Sequence, residues 1–304
     1  MPVLVDWASI ALLGAATFAV VNTLDSHLLS KRMPGLQAFL LPVAIFHLFY
    51  GLLIFYLFPL PEGTGIWALL VAVISGILRT AGITIMLYNL IKEEVSRVIP
   101  VVYTYPIFVA VIAVPLLGET LGYLQWLAII IVVAGAVMVS IRQSPSGVAV
   151  WPGKLLLILF GSSLLYAMAD ITAKYALAYF SFWNMFSLTA FCLSGVFLLI
   201  SARPHILRQL SDMRQRRSTM VLLAFDETLA TVAAMLLFWA LERGFVSLTS
   251  AIVGTRPIFV VIFALILSRV LPASLEWHPG KGMLPLRLMA TVMIVSGVVI
   301  IYLT

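Results

Sequence analysis

The apolar runs of this chain are interrupted by a handful of groups that hydrocarbon does not tolerate cheaply. An ionisable side chain at the centre of a membrane helix costs about 2.5–3.5 kcal/mol on insertion scales. Such groups usually face a cavity, a substrate or each other. Asp170 and Lys174 stand four residues apart in YAMADITAKYA. At that spacing they can pair along one helix face, with Tyr166 one turn earlier on the same stripe. The pair either neutralises its helix for insertion or holds a substrate or proton at a central cavity. Arg79 lies mid-span in SGILRTAGITIM, and no acid lies in its own span. It must meet a carboxylate from another helix, water in a cavity or an anionic substrate. Gly76, Ala81 and Gly82 beside it equally suit a close helix-packing face.

Other polar groups are weighed the same way. Asn22 offers both a donor and an acceptor, to a substrate or to a neighbouring helix. Asp25 and His27 fit the hydrated end of the first span. His47 reads first as a hydrogen-bonded interior histidine and second as a proton relay. Asp226 and Glu227, in AFDETLA, follow a basic loop by two turns. At least one of them should face the interior, with Arg79 or Arg256 as partner. Asn184 fits a helix cap.

A repeated block organises these residues. Residues 88–119 align with 239–270 at a shift of 151, with 11 of 32 positions identical. The matches cluster on Thr104/Thr255 and on Pro106-Ile107-Phe108-Val109 against Pro257-Ile258-Phe259-Val260. A mid-helix proline bends its helix and frees a carbonyl one turn back. Pro106 and Pro257 are therefore either structural kinks or hinges. Tyr103, Thr104 and Tyr105 before Pro106, and Gly254, Thr255 and Arg256 before Pro257, favour a polar edge turned to a cavity.

The elements that must position these residues follow from composition. Of 304 residues, 63% are hydrophobic and 10% charged. A soluble domain carries about 25% charged residues. A spanning helix needs about 20 apolar residues, and on that ruler ten spans are predicted: 7–29, 36–58, 66–90, 96–117, 122–141, 154–178, 182–202, 219–241, 246–268 and 285–303. The fold class is an all-α polytopic membrane protein. The Ser-, Pro- and Gly-rich stretch 142–153 divides it into repeats 1–145 and 146–304. The second repeat carries an insertion at 271–287, and AGAVMVS at 134–140 resembles VSGVVII at 295–301. Five spans per repeat is odd, so the second copy enters the membrane from the other side. Ten helices as two inverted five-helix repeats is an arrangement associated with alternating-access transporters.

Charge and motifs bound the chemistry. The net charge of +6 does not point to nucleic acid in a chain of this class, and Cys192 is the single cysteine. No metalloprotease, nucleophile-elbow or phosphate-loop motif is present, and HPGKG at 278–282 lacks the phosphate-loop spacing. Neither a cofactor nor a metal is implied. Fourteen of the 18 Lys and Arg residues fall in the odd-numbered connections and one, Arg243, on the other side. The positive-inside rule then puts both termini outside the cytoplasm.

Five plus five helices, a proline in the fourth helix of each half, and Gly118-Glu119-Thr120-Leu121 before Gln125 and a Gly-containing fifth helix resemble the EamA-type drug/metabolite transporter superfamily. The second half departs from it, with Arg269-Val270 where Gly118-Glu119 stand in the first. The resemblance implies a transporter of amino-acid-like, nucleotide-sugar-like or drug-like solutes, in a prokaryotic inner membrane, with termini more often inside. The expected partners are a small-molecule substrate and the lipid bilayer. Proton coupling and facilitated diffusion are both compatible. The substrate-lining candidates are Asn22, Arg79, Tyr103, Tyr166, Asp170, Lys174, Asp226 and Arg256. A membrane-embedded lipid-modifying enzyme or a non-transporting integral partner is the alternative.

Overall fold

A computed structural model describes residues 6–93, 95–139, 143–144, 147–148, 153–213, 215–270 and 284–304. Among them, α1 (Trp7–His27) runs into a π turn (Leu28–Arg32), followed by α2 (Leu36–Leu57), α3 (Ile66–Leu90), α4 (Val95–Val102), α5 (Tyr105–Leu117) and α6 (Tyr123–Val139). Then come α7 (Gly153–Ala176), α8 (Phe182–Ser201), α9 (Pro204–Ser211), α10 (Arg216–Arg243), α11 (Val246–Val253), α12 (Arg256–Val270) and α13 (Leu284–Leu303). Two-residue strands, β1 (Gln143–Ser144) and β2 (Gly147–Val148), pair antiparallel. The HPGKG insertion and the repeat boundary at 145–146 lie outside the described residues.

Seven helical stretches are long and apolar enough to cross a membrane, and 105–117, 123–138 and 288–303 are shorter apolar helices. Each of the ten expected spans thus holds apolar helix, but three fall short of the length ruler. Two expected spans are broken: 96–117 into α4 and α5, and 246–268 into α11 and α12. The basic loop 203–218 contains α9, which the sequence reading did not expect and which buries only Ile206.

The helices turn apolar side chains outward, as lipid demands, and a mostly apolar interior encloses a minority of polar groups. On α2, Ile45, Phe49, Leu52 and Tyr56 point outward, while Ser75, Ser162, Asp170 and Asp226 are fully or almost fully buried. Buried hydroxyls tie helices through backbone carbonyls: Ser75 donates to Ala169 O at 2.8 Å, Ser162 to Gly82 O at 3.0 Å and Ser194 to Ala44 O at 2.8 Å. Along α1 the buried face is Ala8, Ala11, Gly14, Ala15 and Ala19, small enough to bring its backbone close to α10.

The main helix pairings all cross from one half to the other. α1 packs on α10, α2 on α8, α3 on α7, α5 on α11, α4 on α12 and α6 on α13. Numbered by span, these are first with eighth, third with sixth, second with seventh, fourth with ninth and fifth with tenth. If the first span of one half meets the third of the other, the converse also holds. That reciprocity characterises two copies related by a two-fold axis.

The α6–α13 crossing shows the same reciprocity at atomic scale. A Cβ on Gly135 would lie 2.9 Å from Ala290 O and 3.2 Å from Ile294 N; one on Gly297 would lie 3.0 Å from Ala128 O and 3.3 Å from Val132 N. The three correspondences share one shift, 162, which moves the fifth-helix alignment read from sequence by one residue. Gly135→Ala and Gly297→Ala should each lower the thermal unfolding midpoint in detergent, despite alanine's better helix propensity. Gly195→Ala, where a Cβ meets nothing within 4 Å, should leave the midpoint unchanged or raise it.

Candidate functional site

A cavity of about 110 Å³ lies where helices of both halves meet. Its wall includes Asn22 and Asp25 from α1, His47 from α2, Arg79 from α3, Tyr166 from α7, Glu227 from α10 and Arg256 from α12, with Tyr103 and Tyr105 at the α4–α5 break. A larger, more open hollow of about 550 Å³ lies at the end of the molecule that carries the termini, around Glu119, Lys174 and Gly244. The smaller cavity is the candidate site, because buried charges from both halves converge on it.

The break that presents Tyr103 and Tyr105 follows from Pro106. Proline has no N–H, so the carbonyl one turn back, Val102 O, loses its helical donor. Ser163 Oγ of α7 lies 2.6 Å from that oxygen and 2.8 Å from Val101 O. Thr104 Oγ1 donates to Val101 O at 2.8 Å, and Thr255 Oγ1 donates to Ile252 O at 2.7 Å at the matching position of the second half. Pro106 and Pro257 are accordingly not mid-helix kinks. Each is the second residue of a helix that restarts after a two-residue turn, a position proline favours.

Three rings line one wall. Tyr103 lies 5.8 Å from Tyr105 and 6.1 Å from Tyr166, and Tyr105 lies 6.0 Å from Tyr166, centroid to centroid. Arg256 donates to Tyr103 OH, and its guanidinium carbon sits 3.8 Å from the Phe18 centroid and 4.4 Å from that of Tyr103. Such cation–π contacts need little polar surface. Arg256 is 4% exposed, and its Nε has no partner. Among the described residues no carboxylate lies within salt-bridge distance of it.

Arg79 is different. Its Nη2 donates to Asp170 Oδ1 at 2.6 Å, and the other Asp170 oxygen accepts from Ser250 Oγ at 2.8 Å. The pair therefore joins α3, α7 and α11. Of the three partners that the sequence allowed Arg79, the structure supplies a carboxylate from another helix. Asp170 stands behind the cavity wall, and the expected Asp170–Lys174 pair is not formed. Lys174 points instead to the C-terminal end of α10, with Nζ 2.7 Å from Leu241 O, 3.3 Å from Glu242 O and 2.8 Å from Gly244 O. A cation there satisfies carbonyls that have no helical donor.

The next helix start is satisfied by the opposite charge. Glu119 accepts from Val246 N at 2.5 Å, from Ser247 N at 3.2 Å and from Ser247 Oγ at 2.6 Å. It gets there because α5 ends on Gly118, in the left-handed region at φ 69°. The second half, with Arg269-Val270 in these places, has no such carboxylate to offer.

Asp226 meets neither Arg79 nor Arg256, contrary to the sequence expectation. It is fully buried and faces Asp25. Asp25 is itself 8% exposed, not at a hydrated end. Glu227 Oε2 lies 3.1 Å from His47 Nδ1. Asn184 donates to Phe58 O at 2.7 Å, joining two connections at one end of the molecule. Phe18 and Phe238 escaped the site reading because single aromatic residues in apolar runs carry no signal.

Residues 6–141 match the family model of the EamA-like transporter family. The match covers the first half of the chain, which is similar to that family. This family lies within the drug/metabolite transporter superfamily, and its members are transporters, not enzymes. With seven helices long and apolar enough to cross a membrane among the described residues, the chain is an integral, multi-pass membrane protein. No curated protein matches it. One solved structure, "Crystal structure of protein", is similar over 97% of this chain and 94% of its own, at 16% identity and a TM-score of 0.65. At that identity the likeness shows a shared fold.

Removing one member of the Arg79–Asp170 pair should cost far more than removing both. Asp170→Leu should lower stability by about 3–5 kcal/mol, because it leaves a buried cation alone. Arg79→Leu combined with Asp170→Leu should recover much of that loss, read as thermal unfolding of the purified variants.

Proposed function

We propose that this EamA-like protein is a secondary transporter that moves a small, anion-bearing metabolite by alternating access. Its two five-helix repeats, 1–145 and 146–304, are inverted in the membrane. The reciprocal pairing of helices across the halves supports the two-fold relation, and the odd number of spans per repeat requires the inversion. Arg256 is the observation that carries the substrate class. A buried guanidinium on a cavity wall, sandwiched between rings and with no carboxylate at hand, is a site for a carboxylate or phosphate. Asn22 and the three tyrosines supply polar contacts around it, while Asp170 positions Arg79 from behind. A volume of about 110 Å³ is well below the ~300–1,000 Å³ of drug-sized pockets. It favours an amino-acid-sized solute over a nucleotide sugar.

The breaks before Pro106 and Pro257 are the proposed hinges. Each lies where the helical ladder is already interrupted, so rotation there sacrifices little backbone bonding. The basic connections face the cytoplasm of a prokaryotic cell. Arg32 donates to Gln215, joining the first and seventh connections at one end, and Tyr302 donates to Ser9 at 3.0 Å, joining the two termini.

Uptake into proteoliposomes across a panel of amino acids and small carboxylates tests the reading. Accumulation of at least one solute is expected. Arg256→Ala should weaken its apparent affinity about 10–100-fold, the loss of a charge-assisted hydrogen bond. Absence of transport of every solute would overturn the reading. With Cys192→Ala as background, Arg203→Cys should be labelled by an impermeant maleimide only after the cytoplasmic side is opened. Glu62→Cys should be labelled in intact cells.

A further inference from the structure

Besides Arg256, the cavity meets a second group of charges that the substrate reading leaves unused. Asp25 comes from α1, His47 from α2, and Asp226 and Glu227 from α10. Asp25, His47 and Glu227 line the cavity. Asp226 stands behind them, 0% exposed, and no donor reaches either of its oxygens. Asp25, on the helix packed against α10, is a second buried carboxyl with no proton to give when ionised. Buried carboxylates in contact repel, and hydrocarbon stabilises neither. A proton on either one replaces the repulsion with an O–H···O bond and satisfies Asp226. Glu227 Oε2 likewise lacks a donor of good geometry, although His47 Nδ1 lies 3.1 Å away; that nitrogen is also 3.1 Å from Val43 O.

We propose that Asp25, Asp226, Glu227 and His47 form a proton-binding site that opens into the cavity.

Arg256 of α12 lines the same cavity, stacked on Phe18 of α1 and bonded to Tyr103, and among the described residues no salt bridge joins it to the cluster. Across the cavity α7 presents Tyr166, and α3 presents Arg79, already paired with Asp170. The α8 face contributes the Thr189 hydroxyl and no charge, and α11 contributes no charged residue. Lys31, Arg32 and His27 lie beyond the cluster at the π turn, where Arg32 bonds Gln215. The four are not close enough together to hold a metal ion, and a proton supplies the donor that the buried acid oxygens lack, so protons are the fitting occupants. His47 is the member best suited to pass them between the cavity and the acids.

As a proton site the cluster stands on its own geometry; as the coupling site of a transport cycle it rests on the transport reading. A solute that engages Arg256 shares one small cavity with Asp25 and Glu227, so binding of solute and of proton are linked, and linkage is reciprocal.

Infrared spectroscopy of the purified full-length protein in lipid, titrated from acid to alkaline pH, tests the site. Wild type should show the C=O stretch of a protonated carboxyl at neutral pH, and it should disappear on alkalinisation. Asp226→Asn should remove or shift that band, and Asp25→Asn should do the same, so one poorly folding variant does not decide the matter. Asp212→Asn, in an exposed connection, should leave the band unchanged. A wild-type spectrum without the band at neutral pH, or a band unaltered in both cluster variants, overturns the proposal. A band that responds to sodium and not to pH overturns it in favour of a sodium site. Uptake without the band sinks the proton site alone; the band without uptake of any solute sinks the transport reading alone.

Discussion

The bond between Arg79 and Asp170 is the interaction on which the interior depends. A guanidinium and a carboxylate taken out of water are each expensive, and neither is tolerable alone. Placed on α3 and α7, they force a helix of one half against a helix of the other. Ser250 binds the remaining carboxylate oxygen and brings in α11. With this pair closed on itself, Arg79 presents little free charge to the cavity. Arg256, which has rings in place of an acid, presents much more. The contrast between two arginines in one cavity makes the site directional.

A second constraint acts wherever a helix stops inside the molecule. Water is not available there, so each orphaned backbone group needs a side chain from elsewhere. Val102 O finds Ser163, the end of α10 finds Lys174, and the start of α11 finds Glu119. The last two meet at one junction, residues 241–247, and hold its two helix ends with opposite charges. Polar residues that look like site chemistry in the sequence are partly this: repairs to a backbone broken for other reasons.

That explains how far the sequence could be read. Apolar runs and their short connections placed every helix that builds the cavity, and the repeated block located both breaks. Arg79, Arg256, Tyr103, Tyr166 and Asn22, singled out in the sequence, are among the residues that line the cavity. Spacing could not show direction. Asp170 and Lys174 share a helix face at four residues' separation, yet one turns to α3 and the other lies far enough along to reach the α10 carbonyls. Opposite charge suggested an arginine partner for Asp226, whereas the fold supplies another acid. The fifth-helix register slipped by one residue because an insertion separates the copies and apolar residues substitute freely for one another. Only the two glycines, each held against the other helix's backbone, fix it.

The α6–α13 crossing has a mechanical consequence. Neither helix lines the cavity, and their backbones touch through positions with no side chain to yield. In the proposed transport cycle, two bodies joined at such a seam would pivot about it rather than part there. The seam is then a fulcrum, and the displacement of any other helix grows with its distance from this axle. The helix that carries Arg256 packs against the seam through Ile258, whereas the acid cluster is carried by α1, α2 and α10, and a rotation would displace the two walls unequally.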